Sequence, residues 1–542
     1  MKRPTAAVVP LTFLLGVTCL GQGLESPVAA LSEFRPEAIH AHMNFLADDL
    51  LEGRGTGARG YDLAAKYVAA QLEAYGLEAA GTDGTYFQQI QFRKATVVPE
   101  RTSMTIRDGA SSRTLAFGRD FVLRADSTHA EANVVAPVVI VGYGVTAPEF
   151  GIDDFVGVDV RDKIVAVIAG SPDTLPDVPR AIYSSLQAKL EAAAAHGAVG
   201  VLTLRTAPGP VPKQNPLNPL TLWRGQNGLS NGVPEQIRIA GGVSRDVTAS
   251  LLSKSGYTVE QFEAAVKNRT FTPIDAVVTS ATTVVVESSD FIAANVVGVC
   301  RGSDVRLRNE YVVFSAHLDH LGIGEPVDGD SIYNGALDNA SGIAVFLEMA
   351  RVCASSPRAQ RSIVFLAVTG EELGLLGSDY FATYPTVARE TIVANVNGDG
   401  GNVLFNTRDL VAIGAEHSTL HRQVEEVAHA LHLEVIPDPQ PDQVLFVRSD
   451  QYSFVRQGIP AVWATPGRDT GDPSKDGVKI RQEISAKYYH KPNDDMHQTF
   501  DFDAGAAWAR LQFLLTYAIA NEASRPQWNP DSFLGKRFGG HR

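Results

Sequence analysis

From residue 290 onward the chain alternates short, wholly apolar runs with amphipathic stretches, and this alternation narrows the possible folds more than any other feature. The runs NVVGVC, YVVFSAHLD, SIVFLAV, IVANVNGD and PAVWAT have strand length, while GIAVFLEMARVCA and residues 504–521 have helical spacing. Strands apolar on both faces and separated by helices predict an α/β fold with a mixed, mostly parallel sheet sandwiched by helices. In such sheets ligands gather at the carboxyl ends of the strands.

Those ends are polar here. His317 and Asp319 close YVVFSAHLD, Glu371 and Glu372 follow SIVFLAV, and Asp399 ends IVANVNGD. Asp338 lies in NGALDNASG just before a helix, and His490 in AKYYHKPNDD before the last one. Taken singly, a His-x-Asp reads as a satisfied loop pair and Asp338 as a helix cap. Two adjacent glutamates after a buried strand are harder to explain, because like charges repel and burial penalises both. Imidazoles and carboxylates converging on one crevice suit zinc, and a carboxylate held between two ions suits a two-metal hydrolase. Two dications would supply the missing counter-charge, with one glutamate as a ligand and its neighbour left free as a base.

The segments HLDHLG, NGALDNASG, TGEELGLLGS, NVNGD and YYHKPNDD, in that order, resemble the motif set of the co-catalytic two-zinc aminopeptidases, the family that includes glutamate carboxypeptidase. The likeness covers residues 290–520 and implies the zinc aminopeptidase fold. It implies that His317 and Asp399 bind one Zn²⁺, Glu372 and His490 a second, and that Asp338 bridges them, with a cis peptide bond to Asn339. Cobalt or manganese could replace zinc at such ligands. It further implies Glu371 as the general base and Tyr489 as the phenol that stabilises the tetrahedral oxyanion. Asp319, on the same face of an extended strand as His317, is expected to orient that imidazole. The segment RSDQYSFVRQGIP resembles the family's Ser-Asp-His loop, with Gln451 replacing the histidine. Arg448 in it is a candidate substrate-binding residue, or else the partner of Asp450 on the surface. His320 is expected to be a hydrogen-bonded loop residue with no metal role.

Around this half the chain divides as 1–30, 31–131, 132–285, 286–525 and 526–542. Lys2 and Arg3 precede an apolar stretch from Thr5 to Leu20, with small residues after it, which is the layout of a signal peptide cleaved after Gly21 or Ala30. Residues 31–131, with two helices within 36–80, are read as the N-terminal part of the peptidase domain. The block 132–285 resembles the smaller, β-rich α/β protease-associated (PA) domain found inserted in this family. Residues 286–525 form the catalytic domain and 526–542 a tail. Arg205 to Glu235, rich in Pro, Gly and Asn, reads as a long surface loop. Cys300 and Cys353 form either one disulfide or two buried thiols.

A net charge of −14 argues against nucleic acid or an anionic membrane as partner. No later run is long enough to span a bilayer, so no stable membrane insertion is expected. The chain is therefore expected to be an exported, periplasmic or extracellular metallo-aminopeptidase that releases N-terminal residues from peptide or protein substrates. A carboxypeptidase or dipeptidase of the same fold shares the motifs, and the lack of an evident basic cluster favours the aminopeptidase. A non-catalytic ectodomain would have lost a ligand or the base, and all are present. Oligomeric state is not legible in the sequence.

Overall fold

The computed structural model describes residues 28–125, 129–209, 211, 220–225, 228–229 and 234–541. The expected signal peptide, from Thr5 to cleavage at Gly21, lies outside them. Ala30, the other expected cleavage position, is buried in a short helix, Ala29–Glu33. Among the described residues no helix is long and apolar enough to cross a membrane.

Four parallel strands make the centre of the larger sheet, in the order Ser362–Val368, Tyr311–His317, Ile392–Asn397 and Ala461–Pro466. Antiparallel strands flank them: Asp409–Ile413 on one side and the end of the long strand Ile274–Cys300 on the other. Side chains along these strands alternate between two apolar layers. Val312, Phe314 and Ala316 pack beneath the helices Pro36–Leu46, Arg59–Tyr75, Ser341–Ser355 and Phe502–Asn521. Val313, Val364, Leu366 and Val368 meet Phe381, Phe454 and Leu534 from helices on the opposite face. Burial on both faces explains why these strands read as unbroken apolar runs. The helix Arg59–Tyr75 stops at Gly76, which takes a left-handed conformation (φ 83°) that glycine adopts without steric cost.

The long strand has 27 residues and serves a second sheet with its first half. There residues 279–283 lie between Ser103–Asp108 and Glu131–Ile140, both antiparallel to it. The parallel strands Ile164–Ile168, Gly200–Leu204 and Ile239–Val243 extend this sheet beyond Glu131–Ile140. Strands Ser103–Asp108, Ser111–Leu115 and Phe121–Leu123, which precede residue 132, also belong to it.

Within 205–235 the structure departs from the expected loop. Leu220–Gly225 is a strand, paired antiparallel with Phe87–Val97 through Leu220–Ala95 to Arg224–Gln91. Its Trp223 is buried and donates from Nε1 to Asp379 Oδ2 at 2.9 Å. The flanking Pro and Asn residues gave a turn signal that masked this six-residue strand. Cys300 and Cys353 are free thiols, the first half-buried and the second buried.

Candidate metal centre

The register of the central strands brings the polar ends together. His317 pairs with Val368, the residue before Thr369-Gly370-Glu371-Glu372, and Ser315 pairs with Asn397, two residues before Asp399. Three strand ends therefore deliver His317, the two glutamates and Asp399 to one level. Asp338 arrives from the turn before the helix Ser341–Ser355, and its peptide bond to Asn339 is cis. His490 follows the helix Gly477–Tyr488 and has φ +55°.

Asp338 stands at the middle. One oxygen, Oδ1, lies 3.3 Å from His317 Nε2, which is also 3.4 Å from Asp399 Oδ1. The other, Oδ2, lies 3.2 Å from His490 Nε2, which is 3.2 Å from Glu372 Oε2. Two ligand atoms about 2.1 Å from a tetrahedral zinc ion are about 3.4 Å apart. The observed spacings match that edge length, and the donor set of imidazoles and carboxylates is the one zinc takes. These residues fit two ions that share Asp338.

The cluster is buried, yet its members hold one another charged. Burial works against a charged His317, but Glu371, Asp338 and Asp399 outweigh it and raise the imidazole well above its usual range. His490 is likewise driven up to about 10 by Asp338 and Glu372 against its burial. Burial would raise Asp338 and Glu372, but the imidazoles facing them win: Asp338 falls well below the carboxylate range and Glu372 to about 2. Glu371 is different. Burial raises it well above the usual range, and Glu372, Asp399 and Asp450 add to that against His317 alone. It lines a cavity of about 530 Å³ with His317, Asp338, Asp399, Tyr489 and His490.

Several placements differ from expectation. Asp319 receives His317 Nδ1 on its backbone oxygen at 3.1 Å, not on its carboxylate. That carboxylate instead accepts from the amides of Glu371 (3.1 Å) and Glu372 (3.3 Å) and from Thr56 Oγ1 (3.0 Å). It therefore fixes the glutamate pair. Burial lifts it to about 6. Arg448 does not pair with Asp450 on the surface, because Asp450 is fully buried; the arginine reaches Tyr489 Oη at 3.4 Å and lines the same cavity. The Tyr489 ring stacks on His490 with centroids 3.7 Å apart. Gln451 is buried, accepting from Asn397 and donating to the Phe446 carbonyl.

Three contributors escaped the sequence. His320 is buried beside the second set, its Nδ1 2.8 Å from Glu372 Oε1 and 3.9 Å from Asp338 Oδ2, without hydrogen-bond alignment. The histidine-rich HLDHLG motif was the signal for it. Asp494 accepts from the amides of Leu337 (3.0 Å) and Asp338 (3.1 Å), holding the turn that carries the Asp338 carboxylate. Ser449 donates to Asp399 Oδ2 at 2.6 Å.

Known proteins resemble the part of the chain that carries these residues. Residues 295–516 match peptidase family M28. A probable zinc metalloprotease of Pyrenophora tritici-repentis (strain Pt-1C-BFP) is 36% identical over 261 residues, 43% of this chain and 58% of that protein. Aminopeptidase YwaD of Bacillus subtilis (strain 168) is 36% identical over 90 residues, 17% of each. The matched stretches thus span little more than half of the first relative and less than a fifth of the second. In structure, the aminopeptidase from Aneurinibacillus sp. strain AM-1 shares the fold, with a TM-score of 0.53 at 18% identity over 92% of this chain and 96% of the other. Over residues 295–516 the chain is similar to peptidase family M28.

Proposed function

We propose that this chain is an exported zinc aminopeptidase working with two ions, and the observation that carries the reading is the position of Asp338. Its two oxygens face two separate imidazole–carboxylate sets at zinc-edge spacing, beside a cavity that Glu371 enters. His317 and Asp399 would hold one ion, Glu372 and His490 the other. When bound, the ions would polarise the scissile carbonyl and acidify the attacking water. Glu371 accepts the water's proton and returns it to the leaving amine, a role that suits a carboxylate of raised proton affinity. Tyr489 donates its phenol to the carbonyl oxygen as that atom gains charge.

A second cavity, of about 260 Å³, adjoins Asp338 and Asp399 and is walled by Leu404, Trp463, Pro466, Ile484 and Tyr488. Its apolar walls suit a large aliphatic or aromatic side chain on the residue released. The smaller sheet is read as a PA domain bordering the cleft: Val178 and Ala181 from its helix Asp177–Ser184 share a cavity with Leu445 and Phe446 of the peptidase domain. One observation favours a second reading. Arg448 and Arg481 both line the cleft and could hold a substrate carboxylate, as a carboxypeptidase or dipeptidase requires.

Aminoacyl fluorogenic substrates, N-blocked peptides and free dipeptides, each with and without chelator, separate these readings. Free-amine substrates should be cleaved, blocked ones spared, and chelator should abolish turnover. Glu371→Gln should keep its zinc and lose about 10³-fold in kcat. Normal turnover in that variant would remove the base from the scheme.

A further inference from the structure

Behind the acidic cluster lies a positive charge that the proposed chemistry does not use. Arg54 is 1% exposed, and its guanidinium is spent on backbone carbonyls. Nε donates to Leu318 O at 2.9 Å, Nη1 to Leu46 O at 2.5 Å and Asn334 O at 2.6 Å, and Nη2 to Gly335 O at 3.0 Å. Leu318 sits between His317 and Asp319, and Gly335 is three residues before Asp338. One side chain thus ties together the two loops that present ligands to both sides of the centre.

The neighbours of Arg54 extend the tie. Its own carbonyl accepts from the His320 amide at 3.2 Å. Thr56 Oγ1 donates to Asp319 Oδ2 at 3.0 Å and accepts from the Gly370 amide at 3.1 Å, reaching the third loop. The turn is bent to do this: Glu52, Gly53 and Arg54 all have positive φ, at 51°, 66° and 50°. Such angles are unfavourable for Glu and Arg and persist only where the surroundings impose them. At Gly53 a Cβ would meet Tyr333 O at 2.4 Å and Gly322 O at 2.6 Å, so only glycine lets the chain pass. A guanidinium buried without a carboxylate bonded to it is costly. Burial pulls it down to about 10, and the charges of Asp494, Asp338, Asp319 and Glu372 work against that fall.

We propose that Arg54 is the positioning residue of the metal centre, its guanidinium clamping the 317–320 and 334–338 loops so that their ligands reach ion-binding spacing before any ion arrives. This rests on the two-ion reading above. The clamp acts on main chain, so lysine cannot replace it: one ammonium cannot serve four carbonyls spread around a planar fork.

The test compares wild type, Arg54→Lys and Arg361→Lys. Arg361 is an equally buried arginine whose bonds go to Glu310 and the Glu522 carbonyl, away from the centre. Zinc affinity is read by competition with a chromogenic chelator, alongside kcat, KM and thermal midpoint. Arg54→Lys should weaken zinc binding by about 10- to 100-fold, the usual effect of losing an outer support, and lower kcat with little change in KM. Arg361→Lys should lose midpoint temperature while binding zinc like wild type. Equal zinc affinity in all three overturns the clamp but leaves the metal centre standing. Wild type that binds no zinc overturns both. Should Arg54→Lys not fold, Thr56→Val and Thr56→Ser decide: valine should lose about tenfold in zinc affinity and serine restore it, and a valine variant with wild-type affinity overturns the proposal.

Discussion

The strand Ile274–Cys300 feeds two sheets that both hold parallel strands, and they manage buried charge in opposite ways. Beside the smaller one, Lys189 is buried with its Nζ held by the carbonyls of Tyr143 and Gly170, each at 2.6 Å. Burial drives its proton affinity down to about 7, with only Asp154 opposing, so this lone ion can shed its charge near neutral pH. At the larger sheet, imidazoles are raised and the facing carboxylates lowered, so each group keeps its neighbours ionised. A solitary buried charge neutralises itself; in a mutual cluster the facing charges hold one another ionised. A parallel sheet alone makes no site. The strands Ile164–Ile168, Gly200–Leu204 and Ile239–Val243 are followed by Ala169, Arg205 and Ser244, and none of those three carries an imidazole or a carboxylate.

That contrast can be broken at its centre. Asp338→Asn removes the charge both sets depend on, and should cost more than the roughly 100-fold that an outer partner contributes to zinc affinity, with turnover falling in parallel. Full zinc stoichiometry in this variant, measured by atomic emission on the dialysed protein, would dissolve the idea of a shared carboxylate. Tyr489→Phe lies outside the charge network and should separate chemistry from binding: kcat down about 10²-fold, zinc content unchanged. Lys189→Met probes the smaller sheet's surroundings. It should destabilise the protein by about 1–3 kcal/mol through two orphaned carbonyls, leaving turnover per folded molecule as it was.

The pH behaviour of stability sharpens the comparison further. The folded proton affinity of Lys189, about 7, lies below the unfolded value of about 10.4. Between them the unfolded chain binds more protons, so this residue makes stability rise with pH across that window and contributes no slope below it. Denaturant melts from pH about 6 to about 10 should show a rise that Lys189→Met flattens. An unflattened rise would mean that the lysine is solvated.

The strand-end motifs were legible because they violate a rule: acidic and imidazole groups at the ends of buried strands need a reason, and metal is the reason their chemistry suggests. Arg54 was not, because its partners are carbonyls, which carry no residue signature, and they lie up to 281 positions away. His320 was set aside because whether it faces Glu372 depends on how the loop after His317 folds back. Asp319 was read by strand periodicity as a partner of His317, yet the strand ends at His317 and its carboxylate turns to the Glu371 and Glu372 amides. Leu220–Gly225 was hidden by its flanks. Pattern reveals what a side chain is for when the backbone around it is regular, and little where the chain turns.

The 27-residue strand has a mechanical meaning. Domains joined by a loose tether can swivel and are readily nicked apart, whereas here main-chain hydrogen bonds run from one sheet into the next along a single extended segment. A protease finds no slack joint at this crossing. A load placed on the smaller domain would travel down that segment to residues 296–300, beside Ser362–Val368, and so to the strand whose far end carries Glu371 and Glu372.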